Sequence, residues 1–174
     1  MEKGRPLVVP NLDRFRDAQN KPHAGFAQAL AELSAGRKTR HWIWYVFPQL
    51  AGLGQSPTAV YYGLAGVAET EAYLRDRVLR ERLLAAAAAV RTHLASAARQ
   101  PVPLEQLMGS EIDALKLISS MTLFRHVARA LSSADPLPEF AAMADHADAI
   151  LAAAMAQGYG PCAYTEDWLR GSRP

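Results

Sequence analysis

The chain has 174 residues, of which 50% are hydrophobic and 21% are charged, and its formal net charge at pH 7 is +2. This length and composition predict one globular domain with a sizeable core, and they exclude a largely disordered chain. The small net charge argues against direct nucleic-acid binding.

The cysteine and histidine content limits the chemistry that the chain can carry. Cys162 is the single cysteine, which excludes an intrachain disulfide and a cysteine-based metal cluster. The histidines show no paired metal-ligand spacing, so we expect no metal site. No apolar run is long enough to span a membrane, and the apolar stretch near the N-terminus, residues 7–9, is too short for the hydrophobic region of a signal peptide. We therefore expect a cytoplasmic protein that does not associate with membranes.

The predicted organisation is a loose leader over residues 1–10, one helical domain over 11–157 and an irregular tail over 158–174. Asn11 is a suitable N-cap for a first helix, and Pro22 separates that helix from a second one over about 23–34. Gly36 is typical of a helix C-terminus and ends the second helix.

Residues 41–47, which we call the aromatic segment, follow three cations. Seven residues are too few for periodicity to distinguish helix from strand, but apolar groups point in every direction in either case. We predict a helix because the chain offers almost no strands for pairing, and Pro48 then ends that helix. Trp42, Trp44 and Phe47 are expected to be largely buried.

The remaining elements are all predicted helices. Ser56, Asp76 and Ser110 are expected N-caps, each preceding an apolar pattern of helical period. Predicted helices cover about 57–62, 69–75, 77–99, 104–108, 111–131 and 139–157. The helix over 111–131 is apolar on most sides, so it should lie beside the aromatic segment at the centre of the fold. The sequence therefore predicts an all-α, compact, multihelical single domain with two buried central helices.

The sequence also resembles a family of small bacterial proteins of unknown function, some of which carry the label "calpastatin". The matching segments are 12–15, 17–19, 29–33, 36–38, 41–49, 52–54, 56–57, 108–109, 115–117 and 119–124. The resemblance implies an all-α multihelical fold with buried central helices, and it implies no established activity. Calpastatin inhibitory regions are disordered, whereas this chain is half hydrophobic, so the label does not predict its function. The tail from 158 departs from the glycine- and arginine-rich ending of the family.

The candidate site combines the cationic start of the aromatic segment with a polar face of the helix over 111–131. Asp113, Lys116 and Ser120 share that face by their spacing. The candidate ligand-binding residues are Arg37, Lys38, His41, Trp44, Gln49, Asp113, Lys116, Ser119 and Ser120. Cations, hydroxyls and indoles together suit an anionic, planar small molecule such as a nucleotide. The competing interpretation is structural: an Asp113–Lys116 ion pair, serines bonded to helix carbonyls and tryptophans in the core.

Two main functions remain open from the sequence, and direct nucleic-acid binding is a third and weaker one. The first is binding, and possible processing, of a nucleotide-like or phosphorylated small molecule, with His41 as a candidate general base. The second is a protein–protein interaction module without a small ligand, acting as a homodimer or with another partner. A polar concave site between the central helices would favour the first, and an exposed apolar patch over a filled interior would favour the second. Neither a reaction nor a cofactor is predicted.

Overall fold

The computed structural model describes residues 10–95 and 100–171, and within these ranges the regular secondary structure is entirely helical. Helices α1 to α10 cover Asp13–Gln19, Phe26–Ser34, Ile43–Val46, Pro57–Tyr62, Val67–Arg75, Arg77–Leu94, Leu104–Met108, Glu111–Ala134, Pro138–Ala156 and Ala163–Gly171. A single isolated parallel bridge, between Leu50 and Leu64, was found in the described ranges. The predicted all-α class is confirmed. Nearly all of the predicted leader, residues 1–9, lies outside the described residues.

Three helices begin at the predicted capping residues. Ser56 Oγ accepts the Ala59 N–H at 3.2 Å at the start of α4. Asp76 Oδ1 accepts the Leu79 N–H at 2.9 Å at the start of α6, and Ser110 caps α8 in the same way. Each cap satisfies a backbone donor that has no partner within its own helix.

Helix α8 lies at the centre of the molecule and packs against α5, α7, α9 and α10. Its predicted apolar stripe is buried, from Leu117 through Phe124 to Leu131. Helix α9 also packs against α6, whose own stripe from Leu79 to Leu94 is buried. Helix α8 is therefore enclosed on most sides. No helix in the described part of the chain combines the length and apolarity needed to cross a bilayer.

The aromatic segment is more irregular than predicted, because only Ile43–Val46 is helical. After Pro48 the chain turns to form backbone hydrogen bonds with Leu64, which prevents α3 from continuing. Trp42 and Phe47 are buried as expected, but Trp44 is only half-buried and lines a crevice beside α4. Trp44 therefore packs at the edge of the core and is less buried than Trp42 and Phe47.

The predicted tail is not irregular throughout, because Ala163–Gly171 forms α10. Thr165 and Leu169, four residues apart, are buried on one face of this helix, which packs against α8. Of the residues that suggested an irregular tail, Gly160 and Pro161 lie in the connection before α10, and Gly171 is the last residue of α10. The interior of the molecule therefore includes part of the predicted tail.

Candidate functional site

Lys38, Asp113 and Lys116 form a compact ion cluster, which we call the lysine–aspartate cluster. Lys38 Nζ lies 2.6 Å from Asp113 Oδ2, and Lys116 Nζ lies 2.9 Å from Asp113 Oδ1. The side chains of Lys38, Asp113 and Lys116 are 5%, 14% and 20% exposed. The structure thus brings together residues from the two regions that the sequence indicated.

Local backbone geometry places Lys38 against the start of α8. The Lys38 N–H donates to the Leu107 carbonyl at 2.8 Å, which ties the chain before the aromatic segment to α7. Gly109 follows with φ +79°, and a Cβ at that position would lie 2.7 Å from the Lys38 carbonyl oxygen. Glycine therefore permits both the left-handed turn and the close approach of the two backbones. Asp113 follows in the first turn of α8.

Each lysine of the cluster also lies against an indole. Lys38 Nζ is 5.2 Å from the ring centroid of Trp42, and Lys116 Nζ is 4.5 Å from that of Trp44. Both distances are within the range of cation–π attraction, which strengthens when the cation is partly desolvated. The tryptophans therefore help to hold two ammonium groups around one carboxylate.

The electrostatics of the cluster favour a charged Asp113. Burial by itself raises the pKa of the Asp113 carboxyl, but hydrogen bonds and positive charge from both lysines outweigh burial, and the pKa lies below its usual value. Among the described residues, Asp113 is the one carboxylate that pairs with either lysine. The cluster therefore carries two positive charges against one negative charge.

A narrow crevice opens beside the lysine–aspartate cluster. Trp44, Gln49 and Lys116 line it together with Ala59 and Tyr62. Its volume is about 10 Å³, close to the minimum for a single water molecule. The two central elements meet as expected, but side chains fill nearly all the space between them.

The other sequence-predicted site residues are more dispersed. Arg37 is exposed and lines a separate groove with Glu105 and Gln106. His41 is also exposed, and it takes no part in the ion pairs or ring contacts of the lysine–aspartate cluster. Ser119 Oγ donates to the Leu115 carbonyl at 2.9 Å, as the structural interpretation requires. Ser120 Oγ is fully buried and has no hydrogen-bond partner among the described residues.

Glu32 is a buried carboxylate beside the cluster that no pattern in the sequence indicated as a site residue. Its Oε2 accepts the Thr39 N–H at 2.7 Å, the Arg40 N–H at 3.1 Å and Trp42 Nε1–H at 2.8 Å. Its Oε1 pairs with Arg40 Nη1 at 2.7 Å. Burial opposes ionisation, but these hydrogen bonds lower the pKa of Glu32 to about 2. Glu32 thus fixes the loop that joins Lys38 to Trp42.

The arrangement is suited to electrostatic binding and shows no metal-binding group. No group of three or more histidine, cysteine, aspartate or glutamate side chains in the described ranges is arranged to hold a metal ion. The histidine that was a candidate general base is not part of the lysine–aspartate cluster. The cluster carries one excess positive charge, and the Trp44 indole and the Gln49 amide lie at its edge.

Comparison with known proteins places the chain in a family. Residues 9–148 match the model of a protein family of unknown function, DUF1810. The chain belongs to this family. It is also similar to the crystal structure of the conserved hypothetical protein Rv1873 from Mycobacterium tuberculosis, with 35% sequence identity and a TM-score of 0.68. That similarity covers 90% of this chain and 94% of the mycobacterial chain. No curated protein matches the chain.

Proposed function

We propose that this DUF1810 protein binds an anionic small molecule, nucleotide-like or phosphorylated, at the edge of the lysine–aspartate cluster where Lys116, Trp44 and Gln49 lie. One observation carries this proposal: two largely buried lysines share a single carboxylate. The cluster is therefore one negative charge short of neutrality.

The excess charge has a physical cost that an anion would relieve. A buried charge without full compensation is destabilising because the low-dielectric interior replaces water poorly. Of the two lysines, Lys116 is the more exposed, so its ammonium is the one that a ligand reaches first. An oxyanion there would accept a charge-assisted hydrogen bond, which is stronger than one between neutral groups.

The size of the crevice limits the binding mode. A space of about 10 Å³ cannot enclose a nucleotide, whose pockets are normally hundreds of cubic ångströms. The ligand's anionic group would therefore contact Lys116 and the Gln49 amide at the mouth, and the rest of the ligand would lie on the surface beside Trp44. The proposal is one of binding, and we assign no reaction to the site.

A thermal-shift screen against phosphorylated metabolites and nucleotides tests this proposal, because a ligand that binds only the folded state raises the melting temperature. The informative variant is Lys116→Met, which retains the Asp113–Lys38 pair and the apolar stem of the side chain. We expect its melting temperature to change little and its ligand-induced shift to disappear.

Lys21→Met is the matched control, because Lys21 is exposed and lies outside the cluster. It should retain the full ligand-induced shift. If Lys116→Met also retains that shift, Lys116 does not contact the ligand and the proposed site is wrong. If no compound in the screen shifts the wild-type protein, the small-molecule proposal fails as a whole.

A second function, a protein–protein interaction module, is favoured by exposed apolar side chains near the same crevice. Ile112 is 67% exposed and Leu115 is 47% exposed, and both precede Lys116 in α8 by four residues or fewer. Val60 is 65% exposed on α4. A contiguous exposed apolar patch is typical of a docking surface, and these side chains would supply one if they adjoin. Multi-angle light scattering over a range of concentrations, with Ile112→Glu as the variant, tests the homodimer: a wild-type mass of one chain throughout would exclude it.

A further inference from the structure

A second concave surface lies between α8 and α10, far from the lysine–aspartate cluster, and we call it the α8–α10 groove. Its volume is about 560 Å³. Arg125, His126, Arg129 and Ser133 line it from α8, and Leu169 and Arg170 line it from α10. The α8 residues recur every three or four positions, so they form one continuous face of that helix.

The arginines that line the groove outnumber the carboxylates that pair with them. Arg129 Nη2 lies 2.8 and 2.7 Å from the two oxygens of Asp148, and Arg125 Nη1 lies 3.6 Å from the same residue. Two guanidinium groups thus share one carboxylate whose side chain is 40% exposed. Among the lining residues, Glu166 is the one carboxylate.

The third arginine is paired at the surface. Arg170 contacts Asp167 on its own helix, and both side chains are about two-thirds exposed. Exposed pairs of this kind contribute little to stability, because water and salt screen them and ordering the side chains costs entropy. A ligand with greater charge than one carboxylate can therefore replace Asp148 or Asp167 at little cost.

We propose that the α8–α10 groove binds a small phosphate monoester. A guanidinium presents parallel N–H donors that match phosphate oxygens, and three of these groups line one groove. Leu169 and Ala130 provide an apolar surface for the organic part of the ligand, and the Ser133 hydroxyl provides a further hydrogen bond. The volume is within the usual range for small-molecule sites.

This groove is independent of the site proposed above. Arg129 follows Lys116 by 13 residues in one helix, which places the two about 20 Å apart along the axis and about 140° apart around it. The two proposals can therefore fail separately. The groove also depends on α10, which lies beyond the residues that match the family model.

Isothermal titration calorimetry with phenyl phosphate tests the proposal, with phenol as the neutral comparison. Arg129→Gln removes the central guanidinium of the groove. Ala130→Trp fills the groove without changing its charge, and the helix tolerates the larger side chain because Ala130 is exposed. We expect each variant to weaken phenyl phosphate binding at least about tenfold, as for the loss of a charge-assisted hydrogen bond or of the binding space. Phenol should not bind.

Arg77→Gln is the matched control, because Arg77 is a surface arginine on α6 whose side chain is 81% exposed. It should bind phenyl phosphate as the wild type does. The loss caused by Arg129→Gln should be the same in the Lys116→Met background, where an anion at the lysine–aspartate cluster does not contribute. Equal affinity in wild type, Arg129→Gln and Ala130→Trp would overturn the proposal. So would no binding by the wild type, or an equal loss in Arg77→Gln and Arg129→Gln, which would indicate only general attraction to a cationic surface. If circular dichroism shows that Arg129→Gln does not fold, the affinity of Ala130→Trp for phenyl phosphate tests the proposal in its place.

Discussion

Replacing Glu32 with glutamine should remove a charge on which the loop from Thr39 to Trp42 depends. The carboxylate is 8% exposed and accepts hydrogen bonds from two backbone N–H groups and one indole. Glutamine has nearly the same shape and keeps one acceptor oxygen, so packing is preserved, but the negative charge is lost and an NH2 donor replaces the oxygen that pairs with Arg40. The substitution therefore measures the electrostatic contribution of Glu32.

The size of that contribution follows from the pKa. Each pKa unit corresponds to about 1.36 kcal/mol, so lowering the pKa of Glu32 from 4.5 to about 2 contributes about 3 kcal/mol of folding stability at pH 7. Arg40 is half exposed and its charge is screened, so we expect Glu32→Gln to cost about 2–3 kcal/mol. Because the folded-state pKa is lowered, the stabilisation is complete above pH 4.5 and declines as the pH falls towards 2. At pH 3 the difference between the two proteins should be about half its value at pH 7.

Urea denaturation followed by tryptophan fluorescence at pH 7, 5, 4 and 3 measures this difference. Glu71→Gln is the control, because Glu71 forms an exposed pair with Arg75 and its loss should cost below about 0.5 kcal/mol. A Glu32→Gln cost below about 0.5 kcal/mol at pH 7 would refute the assigned role. A cost that does not decrease between pH 5 and pH 3 would show that charge is not its cause.

Two further comparisons test the packing of the same region by urea denaturation. Trp42→Ala should cost about 3–5 kcal/mol because Trp42 is fully buried. Trp44→Ala should cost less, about 1–2 kcal/mol, because Trp44 is only partly buried and lines the crevice; equal costs would contradict the difference in burial. Gly109→Ala should cost more than about 2 kcal/mol, because its φ is +79° and its Cβ would approach the Lys38 carbonyl oxygen. Gly158→Ala, with a similar φ of +92° but open space around the Cβ, should cost about 1 kcal/mol, and a larger loss there than at Gly109 would refute the steric argument.

The sequence by itself determined the helical class and most helix boundaries, because these depend on local geometry. A cap at Ser56, Asp76 or Ser110 involves a hydrogen bond to a backbone N–H three residues later, so neighbouring residues suffice to predict it. The ion pair between Asp113 and Lys116 is local in the same way, since residues three apart in a helix share a face. Helix α10 was missed because Gly160, Pro161 and Gly171 suggested an irregular tail, whereas these residues flank α10 or end it and do not interrupt it.

Only the tertiary structure decided which distant residues complete the site. Lys38 joins Asp113 because α7 and the left-handed turn at Gly109 bring two segments together that are 75 residues apart in sequence. The partial burial of Trp44 and the filling of the crevice depend on the volumes of side chains on α4 and α8. The hydrophobic period of the sequence does not predict how those volumes fit together. The α8–α10 groove likewise exists only because α10 packs against one side of α8. Local hydrogen bonding sets where helices begin and end, whereas packing between distant segments sets what their surfaces can bind.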